Sequence, residues 1–167
     1  MAQDHLKVGI VVARRTLKGP WASHAWLSVA VLPAPPHLPV GAALGTDGDD
    51  ERFYAGPATV TLNSSETGYY RDNLTSARPA LWVALRPDGD AVELAAVTAD
   101  PYEGEALAES MGENVEALPM PAEVRAWVEA FIDAFHVERE FFKRKRDSAD
   151  PDALGQRGAV RLREDDA

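Results

Sequence analysis

The chain has no cysteine in its 167 residues. Disulfides, thiolate nucleophiles, cysteine-bound zinc and iron–sulfur clusters are therefore excluded. The absence suits a reducing compartment, and the expectation is a cytoplasmic protein. Basic charge is scarce as well. Lys and Arg total 17 against 27 Asp and Glu, a net charge of −10. Such a body repels nucleic acid and anionic lipid unless a local patch overrides it, so neither is expected as a partner. No run approaches the roughly 20 apolar residues that span a bilayer. The start, "MAQDHLKVGIVVARR", lacks an apolar stretch behind basic residues, so no signal peptide is expected. Phosphate-loop, dinucleotide-binding and His-Glu-x-x-His patterns are missing, and no serine sits in a Gly-x-Ser-x-Gly setting. Catalysis becomes the minority reading, and no cofactor is assigned. Asn63-Ser64-Ser65 and Asn73-Leu74-Thr75 match the glycosylation pattern and are read as chance.

What is present suits one folded domain. Hydrophobic residues make up 46% of the chain and charged residues 26%. Leu6, Val8, Ile10 and Val12 alternate with Lys7, Gly9, Val11 and Ala13, which predicts a strand. "AWLSVAVL" predicts another, ended by the proline-rich "PAPPHLP". "DGDD" and "PDGD" each sit between β-prone runs and predict hairpins. Pro57 demands a bend or an edge. "SETGYYRDNL" reads as a short helix weakened by Gly68. Asp100-Pro101-Tyr102-Glu103 reads as a helix start, with a capping carboxylate, a first-turn proline and a third-position Glu; that helix should stop by Gly112. Val124, Trp127, Val128, Phe131, Ile132, Phe135 and Phe142 form one stripe, predicting a long helix from about Pro121 to Phe142. The predicted fold is α+β: a curled antiparallel sheet or small barrel of six to eight strands under a long C-terminal helix, an order also found in PH-like domains. The domain would span 1–142, and 143–167 would be a charged tail, extended or loosely docked.

Three groups of residues could carry function. Arg14 and Arg15 with Trp21, His24 and Trp26 offer an anion or acidic-peptide site, since guanidinium forks grip carboxylates and indoles stack on them. The plainer reading is a strand, a loop and a second strand, with the two arginines pointing to opposite faces. Lys143, Arg144, Lys145 and Arg146 follow Phe141-Phe142, where they suit either a helix terminus or an acidic partner. Arg125, Glu129, Asp133, His136 and Glu140 share a helix flank. His136 with Glu140 or Asp133 is a weak metal candidate, against a plain salt-bridged flank.

The stretches "VGIVVARRTLKGPWASHAWLSVAVLP", "RFYAGPATVTLNSSETGYYRDNL", "ALWVALRP" and "VTADPYEGE", with "FFKRKRD-ADP-ALG" near the end, resemble an uncharacterised proteobacterial family, a domain of unknown function. The resemblance runs from about Val8 to Gly155. Members are often encoded beside formate dehydrogenase subunits and molybdenum-cofactor genes. By that association the resemblance implies a non-catalytic accessory or adaptor protein for maturing a molybdenum or tungsten formate dehydrogenase. Its partner would be a subunit of that enzyme or one of its assembly factors. Arg14, Arg15, Trp21 and Lys143–Arg146 would make the contact. The alternative is a carrier in which the same arginines hold a phosphate of a pterin-type cofactor, and less readily a metal-dependent enzyme.

Overall fold

A computed structural model describes residues 1–20 and 24–137. Seven strands and three α-helices occur among them, in the order β1 (Gln3–Thr16), β2 (His24–Leu32), β3 (Ala43–Asp47), β4 (Asp50–Asn63), α1 (Thr67–Thr75), β5 (Ala80–Asp88), β6 (Ala91–Thr98), α2 (Pro101–Met111), β7 (Val115–Pro119) and α3 (Ala122–Phe135). All lie in one compact unit, Met1–His136. The fold is mixed α and β, mostly strand, as the sequence predicts.

Among the described residues the strands do not close into a barrel. They form two antiparallel sheets, ordered β2-β1-β4-β3 and β6-β5-β7. β4 runs close to β6, and β2 to β7, with no ladder between them among the described residues. Both predicted hairpins form, with Gly48 and Gly89 supplying the positive φ their turns need. The bend expected near Pro57 is a bulge: Ile10 faces Gly56 and Val11 faces Tyr54, so Ala55 is the extra residue. Beyond that point β4 has no ladder on its β3 side among the described residues, since β3 pairs only as far as Phe53. A proline is tolerated there. The five-residue β7 has no counterpart in the sequence reading.

The main core lies between the sheets and α3. Val8, Ile10 and Val12 of β1, Val60 and Leu62 of β4, Leu81, Val83 and Leu85 of β5, and Val124, Val128 and Phe131 of α3 join in one buried cluster. β1 is buried on its other face too, since Gly9, Val11 and Ala13 are also inaccessible. The proline-rich segment covers that face. Pro36 and the Tyr54 ring crowd the space a Gly9 side chain would fill. The amide of Gly41 donates to the Tyr54 carbonyl at 2.7 Å, and the Tyr54 amide to Ala42 at 2.9 Å.

α2 starts as predicted. The Asp100 carboxylate accepts from the amides of Tyr102 and Glu103 at 2.9 and 3.4 Å. Glu103 reaches the Thr98 hydroxyl at 2.7 Å, and that hydroxyl accepts the Asp100 amide at 3.1 Å. Gly104 is buried in this helix because the Trp82 indole lies on it: a β-carbon there would overlap the ring. α1 is tied down by Asn73. Its side chain donates to the carbonyls of Ala80 and Ala99 at 2.8 and 2.9 Å and accepts the Ala80 amide at 3.0 Å.

The C-terminal helix is shorter than the predicted Pro121–Phe142. It ends at Phe135, and His136 takes an extended backbone with ψ of 121°. The apolar stripe weakens there, since Phe135 is 42% exposed. The His136 ring binds α1 instead of continuing the helix, and residues 138–142 lie outside the described residues. Among the described residues no helix is long and apolar enough to cross a membrane.

Candidate functional site

The arginine pair ends β1, and strand alternation separates the two side chains. Arg14 follows Val8, Ile10 and Val12 on the main-core face. Directly opposite it stand Trp26 on β2 and Glu51 on β4. Its guanidinium lies 5.8 Å from the Trp26 ring and 5.3 Å from the Phe53 ring, and its Nη2 donates to Glu51. Trp26 and Phe53 pack against the core with ring centres 5.9 Å apart. Arg14 thus lids the open end of the core, one side of its charge on rings and the other on a carboxylate. Arg15 emerges on the second face. Its Nε and Nη2 donate to the two oxygens of Asp50 at 3.0 and 3.1 Å, a bidentate fork. That hydrogen bond holds the Asp50 carboxyl below its ordinary range and raises the Arg15 guanidinium. Arg52 completes the row by donating to Asp47 at 2.9 Å.

The predicted pair is therefore two separate ion pairs on the two faces of one sheet. An incoming anion would compete with Glu51 or Asp50 for either arginine. His24 lies 3.6 Å from Asp90, at the turn between β5 and β6. Trp21 and Lys143, Arg144, Lys145 and Arg146 lie outside the described residues. The indole Nε1 of Trp26 is buried with no hydrogen-bond partner among the described residues, which costs stability.

The α3 flank behaves as a salt-bridged edge. Arg125 Nε donates to Glu129 at 3.0 Å, one turn along. His136 closes a cleft of about 500 Å³ with Arg71, Leu74 and Thr75 of α1 and Ile132 and Asp133 of α3. Both ring nitrogens of His136 are engaged. Nε2 lies 3.3 Å from Arg71 Nη1, and a guanidinium only donates, so Nε2 accepts. Nδ1 then carries the hydrogen and donates to Thr67 Oγ1 at 2.9 Å. An arginine seated where a cation would bind opposes the metal reading of His136 and Asp133, and no cluster of three potential ligands occurs among the described residues. Glu140 lies outside them.

The Asn73 match does not suit a glycan acceptor in the folded chain. Asn73 is buried with its amide fully engaged by Ala80 and Ala99.

Two features had no clear sequence signal. One is an apolar strip beside β3. Every residue of β3 is exposed, its outer side has no ladder among the described residues, and Leu38, Val40 and Leu44 are 43%, 69% and 39% exposed. Val40 packs over Gly56 of β4, which places this strip along the sheet edge. The run of prolines before it masked the signal, because it reads as linker. The other is a cleft at Arg78 and Arg125, two residues far apart in sequence.

A family profile described as "Protein of unknown function (DUF3305)" matches residues 7–146. No curated protein matches the chain. No solved structure matches it either.

Proposed function

Because the chain belongs to the DUF3305 family, whose function is unknown, we propose the reading that its surface supports best: a non-catalytic accessory protein that binds another protein. The observation that carries this is the β3 edge. Among the described residues β3 is unpaired on one side, with Leu44 exposed on it and Leu38 and Val40 exposed just before it; an open edge beside apolar side chains is a template for strand addition, and folded proteins seldom leave one uncovered. The ion pairs of Arg14, Arg15 and Arg52 flank the β3–β4 turn and form a charged rim that a partner's acids could enter by exchange. The partner we infer is a formate dehydrogenase subunit or one of its assembly factors. What supports that choice is the gene neighbourhood the sequence resemblance implies. The carrier alternative is weaker, because a pterin phosphate at Arg14 or Arg15 must first displace Glu51 or Asp50.

The test is affinity capture from the native host with mass spectrometry. Wild-type protein should recover formate dehydrogenase subunits or assembly factors, and Val40→Asp/Leu44→Asp should lose them while keeping its circular dichroism. Equal recovery by the double variant removes the β3 edge from the proposal. Normal formate dehydrogenase activity in a deletion strain removes the partner.

A further inference from the structure

A second cleft, of about 510 Å³, opens between the start of β5, β7 and the first turns of α3. Its lining is Pro79, Ala80, Ala117, Leu118, Pro119 and Met120, with Arg78 and Arg125 as the only charged residues described there. In a chain with ten more acids than bases, a cavity with two guanidiniums and no described carboxylate is chemically distinct. The cleft at His136, which Arg125 also lines, carries Glu129 and Asp133 as well.

The donors are available. Among the described residues Arg78 makes no hydrogen bond or ion pair. Arg125 uses its Nε on Glu129, which leaves the Nη atoms of its fork. The floor is apolar and rigid: Leu118 is buried, β7 pairs with β5, and the Met120 amide donates to the Pro79 carbonyl at 3.1 Å. A preformed apolar cavity of a few hundred cubic ångströms with a few convergent polar groups is how small-molecule sites are built.

We propose that this cleft binds a small organic anion, a carboxylate or phosphate head held by Arg78 and Arg125 with its apolar body on Ala117, Leu118 and Met120. The site is separate from the β3 edge and stands whether or not that edge binds a protein.

Calorimetric titration of the full chain tests it, with octanoate and octyl phosphate as probes and octylamine and acetate as controls. One-to-one binding of at least one octyl anion is expected, with octylamine and acetate much weaker. The tighter of the two probes shows whether the head is carboxylate or phosphate. Arg78→Gln/Arg125→Gln should weaken binding by roughly tenfold or more, and the corresponding double Lys variant should retain most of it. Amide shifts on Ala117, Leu118 and Met120 should locate the ligand. Undiminished binding in the Gln variant, shifts that map elsewhere, or no saturable binding of either anion overturns the proposal. Circular dichroism of the Gln variant checks that these exposed positions leave the fold intact.

Discussion

Polar groups work in opposite ways at the two ends of this molecule. Around the β3–β4 turn, Arg14, Arg15 and Arg52 meet Glu51, Asp50 and Asp47 in water. Where α1 and α2 join the second sheet, Asn73 and Asp100 sit inside it, 3% and 6% exposed. In the first region a lost bond is replaced by solvent. In the second it leaves a donor or acceptor with nothing. The same number of hydrogen bonds is therefore a weak ornament at one end and a strong constraint at the other.

The sharpest way to break the comparison is Asn73→Ala. It strands the Ala80 amide and two carbonyls in the dry interior, and it should cost about 3 kcal/mol in urea unfolding. Gly104→Ala comes next. The added methyl meets the Trp82 indole, so a loss of about 2 kcal/mol is expected despite alanine's better helix propensity. A neutral result would mean that α2 slides off the ring. Asp100→Ala removes the α2 cap and should cost about 1 kcal/mol by the same measurement. At the other end, Arg15→Ala should leave the unfolding midpoint unmoved within error, and its effect should appear in titration.

The sign there is fixed by the direction of the shift. The Arg15 hydrogen bond lowers the Asp50 carboxyl below its ordinary 3.8. The pair's contribution is therefore complete above that value and lost as pH falls through the folded-state one. Carboxyl NMR should place Asp50 titration below 3.8 in the wild type and nearer that value in Arg15→Ala.

Much of the fold was legible because its signals are local. Turn residues marked both hairpins, Asp100-Pro101 marked α2, and the 3.6-residue stripe marked α3 up to Ile132. Local signals fail where distant contacts decide. β7 is five residues long with only Leu118 buried, so it carries too little pattern to read alone. The helix stops at Phe135 because His136 finds partners on α1, more than 60 residues away. At the candidate site, alternation rightly split Arg14 from Arg15. Their engagement by Glu51 and Asp50 depends on β1–β4 pairing across 37 and 35 residues, which no window contains. The cleft of Arg78 and Arg125 was hidden for the same reason.

The proline-rich cover over β1 has a kinetic meaning. With one side of the strand against the core and the other under Pro36 and Tyr54, the stretch from Val8 to Ala13 has no wet face through which to open locally. Its amides should exchange with deuterium only when the whole unit unfolds. Those of the exposed β3 should exchange far sooner. A cover rich in residues without N–H groups seals the sheet while offering few donors for a strand of its own. β1 thus becomes the slow clock of the molecule, against which the loosening of every other element can be timed.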